Sequence, residues 1–242
     1  MKTAFVLTAE LATPLILSVE TFLTLDSLLA GVIFESTGSI ERALADIPLE
    51  RTYTVWHGSA VFLESCAIRS MEPFKRGLGM RDIGNGALER LALRRIERGR
   101  RRGQLSTIDT VRGPHQTTLS SYLSYLTPRV YWFGCGDIDR VQDLVNGLPA
   151  IGKKRRQGYG QVAHIEIEPV ETDSSLSMVT AGTRHAMRPL TLESWERLYR
   201  EQPSAIGCTR PSLPYFTGEA HLCAIPPARE VFWRKFDKRF VL

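Results

Sequence analysis

The sequence predicts an α+β protein whose first 170 residues have a ferredoxin-like arrangement. Two stretches of the chain carry this prediction. Near the start, the β-prone segment 3–11 is followed by a helical segment at 25–36. Later, residues 129–169 have the pattern of a strand, a helix, a loop of Gly, Lys and Arg, and a second strand. Together these stretches suggest a split β-α-β pattern.

The N-terminal elements follow from composition and periodicity. Residues 3–11 are apolar and β-prone, which predicts a strand. Residues 25–36 predict a helix that Asp26 or Thr24 can cap. Residues 52–68 hold short apolar runs on either side of a glycine, which predicts a hairpin or two short strands.

The later elements are marked more strongly. Residues 129–134 (RVYWFG) predict a strand, and a helix then runs from 137 to 148 with Asp137 as its N-cap. Residues 162–169 predict the next strand, which ends at a proline. The apolar faces of the two helices should bury against the sheet through Leu28, Val32, Val141 and Leu144.

Domain organisation follows from shifts in composition. We expect one domain over residues 1–170, interrupted by a basic insertion at about 69–113, and an irregular C-terminal extension over 171–242 that packs on it. Within the insertion, residues 87–98 are compatible with a helix, and 98–103 (RGRRRG) predict an exposed loop. The extension contains one predicted helix around 191–200.

The composition excludes several classes of protein. The chain has 242 residues, 43% hydrophobic and 24% charged, so it is not a disordered protein. No uncharged apolar run is long enough to span a bilayer. The first thirty residues resemble a signal peptide only in part, because acidic residues interrupt them, and we expect a cytoplasmic protein. Four cysteines do not make a disulfide framework.

The positive charge is concentrated in two segments. Residues 75–112 hold eleven Lys and Arg against four Asp and Glu, a net charge of +7. Residues 153–156 add four more positive charges. Because the net charge of the whole chain is +5, the residues outside these two segments carry a net charge of −6. Two basic segments on an acidic body favour binding to a polyanion such as nucleic acid, although charge runs alone often form solvated surface.

The loop over residues 152–160 (GKKRRQGYG) is the motif most typical of a binding site. It lacks the Gly-Lys-Ser/Thr ending of a Walker A loop, and it follows a helix rather than a strand, unlike a dinucleotide fingerprint. Its glycines permit close approach of the backbone to a ligand, its cations suit phosphates, and its tyrosine suits stacking on a base. The alternative is a basic turn without a ligand. The candidate RNA-binding residues are Gly152, Lys153, Lys154, Arg155, Arg156, Gly158, Tyr159 and Gly160.

The stretch LPAIGKKRRQGYGQV resembles the glycine-rich loop of the RAMP superfamily of CRISPR-associated proteins. The segments LTLDSLLAGVIFE (24–35), WHGSAVF (56–62) and FKRGL (74–78) are similar to the Cas-five-like (Csf) subunit of type IV effector complexes. This resemblance implies an RRM-type RAMP domain that binds the 5′ handle of a CRISPR guide RNA and caps a filament of Cas-seven-like subunits.

The resemblance also implies further partners. These are a large-subunit-like protein of the same complex and, through the complex, target DNA. The basic insertion would correspond to a projecting thumb or finger that grips nucleic acid. Its candidate contact residues are Arg94, Arg95, Arg98, Arg100, Arg101 and Arg102.

The sequence favours a protein without catalytic activity, metal or cofactor. Some RAMP proteins are metal-independent endoribonucleases with a histidine general base, and His57 beside Gly58 is the candidate for that alternative. We expect instead a turn histidine bonded to the backbone. Cys208, His221 and Cys223 lack the Cys-x-x-Cys spacing of a zinc site, so buried free cysteines are the favoured interpretation.

Overall fold

A computed structural model describes residues 2–18, 21–64, 67–76, 118–211, 213, 219–227, 230–234 and 239–241. The chain divides into two compact units, one of residues 1–70 and 123–242 and a second of residues 71–122. The predicted helix at 87–98, the loop at 98–103 and the six candidate arginines from Arg94 to Arg102 lie outside the described residues.

The described residues form sixteen strands and four α-helices. In chain order these are β1 (Thr3–Leu11), β2 (Leu15–Ile16), α1 (Leu25–Thr37), α2 (Ile40–Ala45), β3 (Arg51–Thr52), β4 (Val55–Trp56), β5 (Phe62–Glu64), β6 (Ile68–Arg76), β7 (Thr118–Leu126), β8 (Arg129–Gly136), α3 (Ile138–Val145), β9 (Val162–Pro169), β10 (Ser177–Thr180), β11 (Thr183–Ala186), β12 (Leu190–Thr191), α4 (Leu192–Tyr199), β13 (Ile206–Thr209), β14 (His221–Ala224), β15 (Glu230–Arg234) and β16 (Arg239–Val241).

The central sheet of the first unit has six strands in the order β16-β15-β5-β8-β1-β9. Its neighbouring strands pair antiparallel, except for β15 and β5, which are parallel. The remaining strands form two hairpins, β3–β4 and β10–β11, and two three-stranded sheets, β2-β7-β6 and β12-β14-β13. The protein is therefore a mixed α and β structure with mostly antiparallel sheets, which confirms that part of the predicted fold class.

Strand alternation gives the central sheet two buried faces. Leu7 and Trp132 oppose each other across β1 and β8 and belong to the larger core, together with residues of α1 and α3. Phe133 and Tyr131 lie on the opposite face, in a smaller core that includes Met187. Side chains of successive strand residues point to opposite faces, and here each face has its own cover.

The two predicted helices pack on the larger core as expected. Leu28 and Val141 are buried, whereas Val32 and Leu144 are partly buried at its margin. Asp137 is the N-cap of α3 as predicted, and its side chain accepts a hydrogen bond from the Arg140 backbone N–H.

The start of α1 differs from the prediction. Thr24 is the N-cap residue, but its side chain makes no capping hydrogen bond. Asp26 lies in the first turn, fully buried, and its carboxylate faces the guanidinium of Arg188 at 3.2 Å. An acid that the sequence suggested as a cap thus belongs to a buried ion pair.

Residues 171–242 were expected to be irregular, but their described part contains regular elements. The predicted helix at 191–200 is confirmed as α4, with Thr191 as its N-cap. Strands β10 and β11 pair through a turn that contains Gly182 at φ +80°, and β12, β14 and β13 form their own sheet. These strands are two to four residues long, too short for a clear alternation of polar and apolar residues.

Candidate nucleic-acid interface

The loop of residues 152–160 connects α3 to β9, and its ends are fixed by backbone hydrogen bonds. The Lys153 N–H donates to the Ile16 carbonyl at 2.9 Å, and the Gly160 N–H donates to the Pro14 carbonyl at 2.8 Å. The Ile151 N–H donates to the Gly160 carbonyl at 2.8 Å, which closes the base of the loop. The loop is therefore anchored to the segment that contains β2.

The middle of the loop is a short 3₁₀ turn over Arg155–Gln157. Residues with left-handed backbone conformation flank this turn, Lys154 at φ +61° and Gly158 at φ +88°. The Gly158 N–H donates to the Arg155 carbonyl at 3.0 Å. This geometry leaves the side chains of Arg155 and Arg156 exposed at the tip, while Tyr159 is half-buried.

The three glycines of the loop have different surroundings within the chain. A Cβ on Gly152 would lie 2.6 Å from the Leu15 side chain, and a Cβ on Gly160 would overlap the Ile151 carbonyl oxygen. These two glycines are therefore needed for packing within the chain. Gly158 has no neighbour within 4 Å of a Cβ position, so its φ of +88° is its only constraint.

An acidic residue faces one of the four predicted phosphate contacts. The Arg155 Nη2 donates to Glu35 Oε1 of α1 at 2.6 Å, and both side chains are partly exposed, at 43% and 56%. Lys153 and Arg156 are also exposed, and Lys154 is half-buried. The structure thus brings the four cations together on one turn and adds a carboxylate that competes for Arg155.

His57 has side-chain partners rather than the backbone partner that the sequence suggested. Its Nδ1 lies 2.6 Å from Asp173 Oδ2, and its Nε2 lies 2.7 Å from Thr52 Oγ1. The expectation of a turn histidine bonded to the backbone is therefore wrong. Asp173 lies 116 residues further along the chain, so no local pattern could have identified it.

The surroundings of Asp173 determine its pKa. Burial raises the pKa of the carboxyl, but hydrogen bonds from His57 and Ser175 lower it by more, so it lies below its ordinary value of 3.8. Burial also raises the pKa of the nearby Cys135 thiol to about 11, and the charge of Asp173 acts in the same direction. Cys135 is therefore a protonated thiol near neutral pH, with low nucleophilicity.

The strand register separates Cys208 from His221 and Cys223, the other two residues considered for zinc. Cys223 pairs with Gly207 across β13 and β14, whereas Cys208 pairs with Leu222, so the two cysteines point to opposite faces of the sheet. Cys223 is buried and Cys208 is exposed. Within the described part of the chain, no group of three His, Cys, Asp or Glu residues has metal-site geometry.

The fold and the loop define a class: a mixed α and β protein, mostly antiparallel, with a basic glycine-rich loop fixed beside its central sheet. A family model described as CRISPR type IV associated protein Csf3 matches residues 3–225, and the chain belongs to this family. The match confirms the resemblance to a type IV Csf subunit. No curated protein matches the chain. No helix among the described residues is long and apolar enough to cross a membrane.

Proposed function

We propose that this protein is a non-catalytic RNA-binding subunit of a type IV CRISPR effector ribonucleoprotein. It binds the 5′ handle of the guide RNA through the loop at 152–160 and caps a filament of Cas-seven-like subunits. A large-subunit-like protein joins the complex, which engages target DNA. The family match supports a role in a type IV system. In the chain, α1 follows β1, and α3 lies between β8 and β9. This order of elements supports a ferredoxin-like RAMP domain.

One observation carries the proposal: four consecutive cations occupy a turn whose backbone is fixed to β2. Fixed cations bind phosphates at a lower entropic cost than those of a free chain, because the backbone is already ordered. The amide and guanidinium groups of such a turn suit the phosphates of single-stranded RNA.

The exposed surface of the edge strand β9 makes the loop a better candidate for the RNA-binding site than the sheet. β9 presents Glu166 and Glu168 to solvent, and carboxylates repel phosphates. The apolar part of the same sheet face is covered by Met187 and its neighbours. A base could therefore not stack on Phe133 or Tyr131, as it would on the open sheet of an RNA-binding domain.

The test replaces Lys153, Lys154, Arg155 and Arg156 together by alanine. Guide-RNA binding should weaken, and its dependence on salt should become flatter. Each lost contact to a single-strand phosphate lowers the slope of log K against log salt by about 0.7, so two to four contacts give roughly 1.5–3. Tyr159→Ala should lower affinity with little change in slope, because stacking is not a charge interaction.

Two double variants of equal charge distinguish direct contact of the loop with RNA from an effect of the protein's net charge. Lys153→Ala with Arg156→Ala removes two positive charges from the loop. Arg42→Ala with Arg200→Ala removes the same charge from exposed positions in α2 and after α4. Only the loop pair should reduce the affinity and the salt slope. Equal effects of the two pairs, or an unchanged quadruple variant, would contradict the proposed role of the loop.

The second candidate function is a metal-independent endoribonuclease, and the His57–Asp173 hydrogen bond favours it. A histidine oriented by a carboxylate is a suitable general base for a ribose 2′-hydroxyl, whose oxygen attacks the adjacent phosphorus while the 5′-oxygen leaves. Against it, His57 is largely buried and its Nε2 is already bonded to Thr52. The purified protein should leave precursor RNA intact in chelator. Cleavage that is lost on His57→Ala would establish the nuclease.

A further inference from the structure

A cleft of about 360 Å³ lies between the β3–β4 hairpin and α4, separate from the loop residues. Its apolar wall includes Val55, Leu190 and Leu198, which belong to or pack against a small core of the C-terminal region. Ligand sites typically combine such an apolar wall with a few convergent polar groups in a volume of roughly 300–1,000 Å³. The size suits one small ligand rather than a chain segment.

An exposed aromatic ring stands at the rim of the cleft. Tyr53 is 59% exposed at the turn of the hairpin, with a backbone φ of +55°. The Arg197 guanidinium lies over its ring, 4.0 Å from the centroid. A tyrosine in left-handed conformation costs stability, since most residues other than Gly and Asn avoid this region. The strained backbone of Tyr53 is not offset by burial of its ring, because the ring is largely exposed to solvent.

The polar groups of the rim include both hydrogen-bond donors and acceptors. Glu193 and Arg197 lie one helical turn apart on α4, and Thr54 and His221 face the same cleft. The Ser194 hydroxyl accepts a bond from Thr191 at 2.8 Å, which leaves its own proton available to a ligand.

We propose that this cleft binds one nucleotide of a single-stranded RNA. The base stacks on the Tyr53–Arg197 pair, the Glu193 carboxylate accepts a hydrogen bond from an exocyclic amino group of the base, and the Arg197 guanidinium contacts the phosphate. Aromatic rings and guanidinium planes are the surfaces on which unpaired bases stack. The inference rests on the proposed function for the class of ligand, but it involves none of the loop residues.

The test uses the full-length protein and a single-stranded RNA of mixed sequence that carries 6-thioguanosine, a photo-reactive base with an exocyclic amino group, at regular positions. Tyr53→Leu, which removes the aromatic ring, should weaken binding about tenfold without a change in salt slope. Tyr53→Phe, which keeps the ring, is the matched control and should bind like the wild type. Arg197→Gln should lower both the affinity and the slope, the latter by about 0.7. Chemical denaturation of each variant checks that it is folded.

The outcomes separate this inference from the proposed function. A photo-crosslink to residues 53–55 or α4, lost in Tyr53→Leu, supports the cleft. Crosslinks confined to 152–160, with Tyr53→Leu binding like the wild type, overturn the cleft and leave the proposed loop function intact. Weak binding by Tyr53→Leu together with normal binding by the quadruple loop variant supports the cleft and overturns the loop. Absence of RNA binding by the wild type overturns both.

Discussion

The guanidinium of Arg188 lies 3.2 Å from the carboxylate of Asp26, and both side chains are almost completely buried. Arg188 also donates to the carbonyl oxygens of Trp56 at 2.6 Å and of Gly58 at 3.0 Å. One side chain of the C-terminal region thus binds the first turn of α1, the end of β4 and the residues that follow it. The buried charge is compensated by an opposite charge and by backbone dipoles, as buried ions require.

Loss of either partner should therefore be costly. Arg188→Met leaves the Asp26 carboxylate buried without its counterion, and Asp26→Leu leaves the guanidinium in the same position. Each should lower the free energy of unfolding in urea by about 3–5 kcal/mol. The double variant should lose less than the sum of the two single losses, because neither charge is then left alone.

The control for this experiment is an exposed ion pair of the same region. Glu201→Gln removes the partner of Arg184, whose side chain is about one-third exposed. Exposed pairs contribute at most about 1 kcal/mol, so this variant should be close to the wild type. A buried variant that loses no more stability than Glu201→Gln would show that the Asp26–Arg188 pair does not stabilise the fold.

The elements that the sequence predicted correctly are those with a local signal. After Arg129, strand β8 is an uninterrupted apolar run, and α3 combines an N-cap at Asp137 with regular apolar spacing. Residues 152–160 could be identified as a loop because glycines and cations there exclude a buried strand. Each of these signals lies within about ten residues, the range over which periodicity and capping act.

The interactions that the sequence did not reveal connect distant residues. Asp26 and Arg188 are 162 residues apart, and Arg155 and Glu35 are 120 apart. Their residue types are common, and nothing nearby marks them as partners. The cleft was missed for the same reason, because Tyr53 and Arg197 come together only through tertiary packing.

The loop glycines allow a prediction from steric fit. Gly160→Ala places a Cβ against the Ile151 carbonyl oxygen, within a backbone that forms the base of the loop. Gly158→Ala meets no neighbour and should cost only the roughly 1–2 kcal/mol of a left-handed alanine. Urea denaturation should therefore show a larger loss for Gly160→Ala than for Gly158→Ala. Similar losses of unfolding free energy in the two variants would mean that the base of the loop can move to accommodate the new Cβ with little loss of stability.

The lowered pKa of Asp173 makes the stability depend on pH in acid. The folded state favours the ionised form of the Asp173 carboxylate. The contribution of this carboxylate to the free energy of unfolding is therefore fully present above the ordinary pKa of 3.8, and it is lost as the pH falls through the lower pKa of the folded state. The difference in unfolding free energy between wild type and Asp173→Asn should shrink as the pH falls below about 4. Asp143→Asn, at an exposed position on α3, is the control. A difference that grows toward low pH would contradict the sign of the shift.

The Glu35–Arg155 ion pair predicts a variant that binds RNA more tightly than the wild type. If the Arg155 guanidinium contacts a phosphate, it must first leave the Glu35 carboxylate, which lies 2.6 Å away. An exposed pair of this kind is worth about 0.2–1 kcal/mol, so Glu35→Gln should raise the affinity for guide RNA by up to about fivefold at low ionic strength.

A double-mutant cycle distinguishes competition for Arg155 from a general loss of negative charge. Glu41→Gln removes an exposed charge from α2 and should leave the affinity nearly unchanged. In an Arg155→Ala background, Glu35→Gln should give no gain, because the competition no longer exists. If Glu35→Gln improves binding equally with and without Arg155, the carboxylate acts by long-range repulsion of the RNA. An unchanged affinity in both backgrounds would remove Arg155 from the set of phosphate contacts, leaving Lys153, Lys154 and Arg156 to account for the salt dependence.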